Sequence, residues 1–366
     1  MVRGLLAPRG MKSLTLFTFG LTIACGAAAL RAETHRHVPA AYSGSLTSAQ
    51  PPVLRIKSGD RVITATLDDT GGDAQGAKRA SAPNPLTGPF YVEGAAPGDL
   101  LVVTIEKLTP NRSIGQSSST MIANSIDPGS ITSKPDATRF PWTIDVEHGV
   151  VRLDLHAVSK STDWKGRFSA PEFALPLEPS LAAIGVAPAS TEAAASTTSG
   201  AFGGNMMAAA VTSGARVMLP VFQQGALLFL GHGLARQGDG AVTGTGIETS
   251  LDIEFSVEVV KKKEWPHSSV TRPSTVVGEF EQGWPRIETA DSLMTVGSAS
   301  SLLEAVQHAT IELHHWLDDD FGLSEKTVSI LIGQSMEYEI GSLAGPNFTV
   351  VAKVRKAYLP KPAAGV

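Results

Sequence analysis

Three aspartates form an acidic group in a glycine-containing segment that follows a predicted strand: Asp68, Asp69 and Asp73. Carboxylates in such a group can ligate a cation or take a proton from water. Aspartate is also typical of turns, because its side chain hydrogen-bonds to nearby backbone N–H groups. Two interpretations therefore stay open at this point. Either one of the three faces a pocket, or all three only shape a turn.

Two asparagines offer side-chain amides next to residues that constrain the backbone. Asn205 follows two glycines, and its amide can donate to an oxyanion, although the glycines equally suit a close approach of two strands. Asn84 opens the motif NPLTGP at 84–89, in which the prolines favour an ordered loop. We expect Asn84 and Thr87 to contribute to substrate binding, with a purely structural loop as the alternative.

Two histidines near the N-terminus, His35 and His37, are potential metal ligands. A metal site needs its histidines in a fixed frame, whereas chain ends are poorly ordered unless something ties them down. We therefore expect a frayed terminus here and no site.

A predicted helix near the C-terminus carries four titratable side chains at spacings of four, four and three residues: Glu304, His308, Glu312 and His315. This spacing places them on one face, as a metal site would require. The apolar residues occupy the opposite face, as in an ordinary surface helix. The pattern therefore predicts a solvated polar face.

The single cysteine of the chain, Cys25, lies in a stretch with the anatomy of a secretory signal. Basic residues precede an apolar run at 14–30, and small residues end at Ala32. A lipoprotein would need an aliphatic residue where Thr22 stands. We predict a signal peptide at 1–32, no stable membrane anchor after its removal, and a periplasmic or secreted protein. The rest of the chain has no cysteine, which excludes disulfides and a thiol nucleophile.

Composition excludes several classes of protein. The 366 residues are 42% hydrophobic, which argues against a disordered chain, and their formal net charge is −5. Nucleic acid is not expected as a partner, because phosphate binding needs a basic surface and the one basic run spans only 261–263. The length allows two domains or a single large β-rich domain. We predict one region at 33–366, with a candidate sub-boundary near 160–200.

Strand patterns dominate the chain. Apolar and polar residues alternate from Leu251 to Val259 and from Val151 to Ala157, as in strands that bury one face. Further apolar or β-branched runs, bounded by Gly, Pro or Asp, lie at 53–56, 62–67, 100–105, 217–222, 226–230 and 347–354. Many short strands separated by turn residues indicate a sandwich or barrel-like body.

Helices are predicted only near the C-terminus. Apolar residues recur every three or four positions from Leu302 to Leu317, and Gly322 marks the end of this helix. A second helix is predicted to begin after Ser324, a suitable N-cap, and to reach about Ile332. The segment 190–200 is rich in Ala, Ser and Thr, and it is predicted to be a loop.

Several long motifs resemble those of the acetamidase/formamidase family. The likeness runs in order from about residue 37 to 358, through NPLTGPFYVEGAAPGDLLVV (84–103), IGVAPA (184–189), GAFGGNM (200–206), LPVFQQGALLFLGHGLARQGDGAVTGTGIETSLDIEF (219–255) and MTVGSASSLLEAVQHATIELHHWLDDDFGLS (294–324). The resemblance implies a hydrolase that cleaves the C–N bond of small linear amides, such as formamide or acetamide, to a carboxylate and ammonia. It also implies a homo-oligomer, with a dimer expected, and in some members a divalent metal.

With the strand patterns, the resemblance predicts a mainly β fold with an α+β part. We expect a β-sandwich-like body and a C-terminal helix-containing segment. For amide hydrolysis, the chain has neither a mature cysteine nor a GxSxG motif to supply a nucleophile. Water activated by a metal ion or by a carboxylate is the natural remaining option.

The resemblance places the chemistry in the segment 231–248. Family members read GDxHAxQGDGE where this chain reads GHGLARQGDGA. His232 replaces an Asp, Leu234 a His and Ala241 a Glu, whereas Asp239 is retained. A further Asp of the family, after the FGGN motif, is Met207 here. Histidine can still ligate a cation, but leucine, alanine and methionine at these places cannot move protons as the replaced groups do.

Two hypotheses follow from these residues. In the first, an exported amidase uses zinc or calcium held by His232, Asp239 and Asp69, with Asp239, Asn205 and Glu248 as catalytic residues. For Glu248, a solvent-facing strand position is the alternative. In the second, the same fold is a catalytically inactive protein that binds a small ligand in an apolar-lined pocket.

Overall fold

Two open, mainly antiparallel sheets form the body of the protein, in a computed structural model that describes residues 32–130, 138–158, 172–190, 193–262 and 283–360. The strands in chain order are β1 (Thr34–Arg36), β2 (Ser45–Leu46), β3 (Leu54–Ile56), β4 (Arg61–Ala65), β5 (Leu86–Val92), β6 (Leu100–Pro110), β7 (Ile114–Ser118), β8 (Arg139–Asp145), β9 (Val150–Asp154), β10 (Glu172–Pro176), β11 (Ser180–Val186), β12 (Ala194–Ala195), β13 (Ser199–Gly200), β14 (Gly203–Asn205), β15 (Arg216–Pro220), β16 (Leu228–Arg236), β17 (Ile247–Glu248), β18 (Leu251–Val260), β19 (Arg286–Glu288), β20 (Ser292–Ala299), β21 (Glu337–Ser342) and β22 (Phe348–Arg355). The helices are α1 (Leu155–Val158), α2 (Leu302–Phe321) and α3 (Glu325–Ser335). The leader predicted at 1–32, with Cys25, lies outside the described residues except for Ala32.

The first sheet runs in the order β1-β4-β18-β6-β15-β19-β20-β22-β21, with β1 parallel to β4. The second runs in the order β10-β9-β8-β7-β17-β16-β11-β14-β13, and β5 pairs with β16 and carries β3. A small ribbon joins β12 to β2. Neither large sheet closes on itself, so the body is a sandwich and not a barrel.

Alternation along β6 shows how the layers arise. Leu101 and Val103 enter the large apolar core that joins the two sheets. Leu100 and Val102 point the other way, into a second cluster that includes Trp316 of α2. A strand buries both faces when another layer covers each of them. The molecule is therefore layered as sheet, sheet and helices, which confirms the predicted sandwich-like body with a C-terminal helical segment.

Both predicted helices are present. Beyond α2, Gly322 takes a left-handed φ of 60°, as is typical after a helix C-terminus, and Ser324 caps α3 by accepting the Thr327 N–H at 3.3 Å. The second helix continues to Ser335, about one turn beyond its predicted end. Among the described helices, none is long and apolar enough to cross a bilayer.

Two local predictions were wrong in part. The strand predicted to reach Ala157 ends at Asp154, whose carboxylate accepts the His156 N–H at 2.8 Å and starts the short α1. The segment predicted as a loop at 190–200 contains β12 and β13, because β12 pairs with β2 and β13 pairs with β14. Residues 191–192 of that segment lie outside the described residues.

The N-terminal histidines are ordered, so the expected frayed terminus was wrong. His35 lies in β1, and its Nε2 is 2.9 Å from Oδ2 of Asp60. His37 meets the ring of Phe90 edge to face, with ring centroids 5.6 Å apart. The parallel pairing of β1 with β4 supplies the frame that the sequence pattern did not reveal.

The polar face of α2 was also mispredicted as solvated. Glu312 is fully buried, and its Oε1 accepts from Nε and Nη2 of Arg286 in β19, each at 2.8 Å. His308 stacks on Trp284, with ring centroids 4.3 Å apart. At the N-terminal end of this face, the side chain of Glu304 is half exposed to solvent. The covering layer comes from residues remote in sequence, which helix periodicity cannot indicate.

We predict opposite effects for two Gly→Ala substitutions. Gly297 lies in β20 where α2 crosses it, and an added Cβ would overlap Ala305 O and Ala309 N. Because both are helix backbone atoms that cannot move aside, Gly297→Ala should lower the free energy of unfolding by about 3 kcal/mol. Gly333 in α3 has open space around it, so Gly333→Ala should raise that free energy by about 0.5–1 kcal/mol. Urea unfolding of both variants tests the packing of α2 on β20, and equal effects would contradict it.

Candidate active site

A cavity of about 500 Å³ opens beside the middle of β16. The residues that line it come from β8, β14, β16 and β17, from the loop before β5, and from the turn between β21 and β22. Its charged or amide-bearing lining residues are Asp69, Lys78, Asn84, Arg139, Asn205, His232 and Glu248. Several separate elements of the chain therefore converge on one polar pocket.

His232 lies in β16 between two glycines and takes a left-handed φ of 58°. Only a few per cent of non-glycine residues adopt such a φ. Neither Gly231 nor Gly233 has room for a Cβ, because Pro85 O and Thr249 O approach them closely. The strand is therefore packed tightly on both sides of His232. An unusual backbone at a buried polar residue is typical of functional positions.

His232 connects two of the predicted site residues. Its Nε2 lies 2.6 Å from Oε2 of Glu248, and its Nδ1 lies 3.1 Å from Oδ1 of Asn205. The second carboxylate oxygen of Glu248 accepts the Gly246 N–H at 2.9 Å. Glu248 is thus buried inside the site, and the alternative of a solvent-facing strand position does not hold.

The pKa values of both members of the buried pair lie above their ordinary values. Burial by itself lowers the pKa of His232, but the adjacent Glu248 carboxylate outweighs it and raises that pKa above the ordinary value. Burial raises the pKa of Glu248, His232 opposes this shift, and the charge of Asp69 adds to it. The imidazolium form satisfies the geometry, because both ring N–H groups then donate, one to Glu248 and one to Asn205.

Asp69 faces the same cavity, as one of the two interpretations of the acidic group predicted. Its Oδ1 and Oδ2 accept from Nη1 and Nη2 of Arg139 at 2.8 and 2.5 Å. This is a bidentate, charge-assisted pair, the strongest class of side-chain hydrogen bonding. Arg139 was not predicted as a site residue. A buried carboxylate needs a counter-charge, but the sequence does not indicate which arginine supplies it.

The other two aspartates of the group fit the turn interpretation. Asp68 and Asp73 accept backbone N–H groups within their own turns, and they pair with Arg112 and Arg79. The structure therefore has one aspartate of the group in the cavity wall and the other two in turns. The turns hold the backbone around Asp69 in place.

Asn84 lines the cavity, whereas Thr87 does not. Thr87 is fully buried, and its hydroxyl donates to Ala65 O at 2.8 Å, so its role is to hold β5. Asn84 takes a left-handed φ of 46°, and its N–H donates to Asp69 O at 2.9 Å. The loop before β5 thereby fixes the backbone of Asp69.

Asp239 does not line the cavity, and the structure does not bring it to His232 or Asp69. It lies in the turn after β16, where burial and the nearby Glu339 raise its pKa and Lys353 opposes the shift. The predicted ligand set of His232, Asp239 and Asp69 is therefore not assembled. The glycine beside Asp239 explains the retained motif, because Gly240 takes a left-handed φ of 78° that this turn requires.

The remaining donors do not fit a divalent cation. Both ring nitrogens of His232 are engaged, each oxygen of Glu248 has a donor, and the Arg139 guanidinium that pairs with Asp69 opposes a second cation there. In the part of the chain that the structure describes, no three His, Cys, Asp or Glu side chains are grouped as metal ligands. Three of the four positions at which this chain departs from the family motif, Met207, Leu234 and Ala241, pack together with Ala182 in an apolar cluster.

Comparison with known proteins assigns the family. The model of the acetamidase/formamidase family matches residues 151–356, more than half of the chain. This chain belongs to the acetamidase/formamidase family. The membership confirms the resemblance in the sequence motifs and supports amide hydrolysis as the general activity. A comparison with curated protein sequences gives no match.

Solved structures agree with the acetamidase/formamidase assignment. An acetamidase from Yersinia enterocolitica has 26% identity and a TM-score of 0.71, over 91% of this chain and 95% of that one. An acetamidase from Bacillus halodurans has 25% identity and a TM-score of 0.68, over 88% and 98%. A predicted acetamidase/formamidase from Thermoanaerobacter tengcongensis, at 24% identity and a TM-score of 0.68 over 89% and 96%, shows the shared fold.

We predict that the His232–Glu248 pair makes stability fall as pH rises. In the unfolded chain His232 loses its proton near pH 6.5, whereas the folded pair keeps one proton above that pH. The folded state then binds more protons, so the stabilisation from His232 is fully present below pH 6.5 and is lost as pH rises through its folded pKa. The raised pKa of Glu248 acts in the same direction, from pH 4.5 upward. The slope can reach about 1.4 kcal/mol per pH unit. Urea unfolding at pH 5.5, 7.0 and 8.5 should show this loss relative to the variant His232→Gln/Glu248→Gln, and parallel curves for the two proteins would refute it.

Proposed function

We propose that this protein hydrolyses the C–N bond of a linear amide in the cavity beside β16, giving a carboxylate and ammonia, with water as the nucleophile. Membership of the acetamidase/formamidase family supports the reaction class. The observation that carries the residue roles is the orientation of Asn205, whose Oδ1 accepts from His232. The Nδ2 hydrogens of Asn205 are then available to donate to a substrate. Asn205 lines the same cavity as the carboxylate of Asp69.

Asn205 is the donor to the substrate carbonyl in this proposal. Attack on an amide places negative charge on the carbonyl oxygen, and a preorganised N–H donor stabilises that charge. Within the described residues, the hydrogen bonds of the Asn205 side chain involve Oδ1 and leave Nδ2 unused. Because an imidazolium N–H can be met only by Oδ1, protonated His232 fixes which end of the amide faces the substrate.

Asp69 is the base in this proposal. A carboxylate has about four acceptor directions, and Arg139 uses two of them, so Asp69 can still accept a proton from water. As water attacks the carbonyl carbon, its proton passes to Asp69. The protonated carboxyl then donates to the leaving nitrogen as the C–N bond breaks, and ammonia departs. The acid product ionises in water, so Asp69 ends as it began.

Glu248 acts as a positioning residue, since it reaches the substrate only through His232 and Asn205. Glu248 raises the pKa of His232, which burial alone would lower, and so favours the imidazolium form. No step in this scheme uses zinc or calcium, because His232 is engaged with Glu248 and Asn205, Asp69 is paired with Arg139, and Asp239 does not line the cavity.

Two substitutions test the roles of Asn205 and Asp69. Asn205→Ala should lower kcat by about 10²–10³, because one oxyanion donor is lost. Asp69→Asn should lower kcat by about 10²–10⁴, the typical contribution of a general base. The matched control is Asp318→Asn, which removes an exposed carboxylate on α2 that does not line the cavity and should leave kcat unchanged. Ammonia release from acetamide and propionamide gives the rates, and thermal unfolding checks that each variant folds.

The rate of the wild-type protein is also measured after dialysis against a chelator. The wild-type rate should survive it unchanged, whereas restoration of a lost rate by zinc or calcium would contradict the proposed use of Asp69.

We predict a shifted pH profile for Glu248→Gln. Without the carboxylate, burial dominates and the pKa of His232 falls, so the imidazole loses the N–H that orients Asn205. The alkaline limb of the kcat profile should therefore move to lower pH, while activity at acidic pH is largely retained. A uniform loss of kcat at every pH would indicate a merely structural role for Glu248.

A second candidate function is binding without catalysis. The apolar cluster of Met207, Leu234 and Ala241 favours it, because this cluster stands where the family motif carries polar residues. Acetamide binding measured by calorimetry, with no ammonia release at any pH, would select this alternative.

We further propose that the chain is exported to the periplasm or beyond after loss of 1–32, and that it forms a homodimer. N-terminal sequencing of the protein from its native host and light scattering of the purified protein test these two points.

A further inference from the structure

We propose that the preferred substrate is a linear amide that also carries a carboxylate, bound at the mouth of the cavity by Lys78. This inference rests on the proposed function and deepens it by naming the substrate class. Three observations carry it: the size of the cavity, the balance of charge along its wall, and the rigid placement of Lys78.

The cavity is too large for a minimal amide. Acetamide has four heavy atoms and takes up on the order of 100 Å³, given about 30 Å³ for each water molecule it displaces. The cavity has about 500 Å³, within the range of pockets that enclose considerably larger ligands. A substrate that fills it must extend several atoms beyond the reacting carbonyl.

The cavity wall carries one uncompensated charge. Asp69 is neutralised by Arg139, and Glu248 by the proton that it shares with His232. Lys78 lines the same cavity, and it forms no salt bridge with any residue that the structure describes. The protein as a whole has a net charge of −5, so this local positive charge is opposite in sign to the net charge. A pocket of this kind favours an anionic group on the ligand.

Lys78 and the reacting groups lie at different depths. His232 and Glu248 are buried, whereas Lys78 is exposed and also borders a neighbouring cavity. An amide carbonyl at Asn205 and an anion at Lys78 therefore need a spacer between them. A carboxylate joined to the amide by a short alkyl chain meets both requirements.

The backbone that carries Lys78 is held in place. Lys78 forms an isolated β-bridge with Gly72, and the Arg79 N–H donates to Gly71 O at 2.8 Å. Asp73 accepts the Ala77 N–H at 2.9 Å within the same turn. The ammonium group is therefore presented from a fixed anchor at one side of the cavity.

Steady-state kinetics with two matched substrates tests this inference. Glutaramate has a carboxylate where pentanamide has its terminal methyl group, and both contain the same reacting amide. At low ionic strength, we expect the KM for glutaramate to be about fivefold below that for pentanamide, with similar kcat, because binding far from the reacting bond stabilises substrate and transition state equally. The difference should shrink at 0.5 M salt, where an exposed ion pair is screened (the Debye length is then about 4–5 Å).

Variants assign the effect to Lys78. Lys78→Gln should abolish the preference for glutaramate and leave pentanamide unchanged, and Lys78→Glu should reverse the preference. The matched control is Lys107→Gln, which removes an exposed lysine that does not line this cavity and should change neither KM.

Each outcome decides one of the two claims. If pentanamide is hydrolysed and Lys78→Gln leaves the KM for glutaramate unchanged, the inference fails and the proposed function stands. If neither amide is hydrolysed, the proposed function fails, and calorimetry with glutaramate decides the inference instead. Binding that weakens about fivefold in Lys78→Gln would support it, and binding that is absent or unaltered would overturn it.

Discussion

The site depends on one proton held between two buried side chains. Nε2 of His232 and Oε2 of Glu248 lie 2.6 Å apart, and both side chains are buried, where an unpaired charge would cost several kcal/mol. Their mutual attraction raises the pKa of His232 and so favours the imidazolium form. In that form His232 has no free lone pair and cannot serve as a base, but its second N–H can orient Asn205. The electrostatics of the pair therefore fix the geometry of a third residue that faces the cavity.

This arrangement requires an unusual strand. The backbone of His232 is left-handed, and the glycines on either side of it allow Pro85 O and Thr249 O to approach β16 closely. Glu248 comes from β17, which pairs with β16 directly, so the two members of the proton-sharing pair lie on neighbouring strands. Asp69 and Arg139 come from much earlier in the chain, after β4 and at the start of β8, and they contribute to the cavity wall. The sandwich provides the rigidity that such a converging site needs, because its strands are buried on both sides.

The repetitive features of the fold were predictable from the sequence, whereas the site was predictable only in part. Period-2 and period-3.6 patterns depend on local burial, and they gave the strand at Leu251–Val260 and the ends of α2 correctly. The burial of Glu312 and the order of His35 depend on partners far along the chain, Arg286 and Asp60, and no local pattern contains them. Arg139 was missed for the same physical reason. Long-range ion pairs are set by the tertiary fold, and composition reveals only that enough charges exist.

Asp239 shows what a retained motif can and cannot indicate. The glycine beside it needs its left-handed φ to close the turn, and the chain there packs against β21, so backbone geometry alone is sufficient to preserve the QGDG pattern. The neighbouring polar positions have become Met207, Leu234 and Ala241, which pack on one another as an ordinary apolar cluster and leave no donors there. Apolar residues cannot replace a buried charged group singly without leaving its partner unpaired. Met207, Leu234 and Ala241 pack among apolar neighbours, so this cluster leaves no buried charge unpaired, and the cavity takes its polar groups from the side chains around His232.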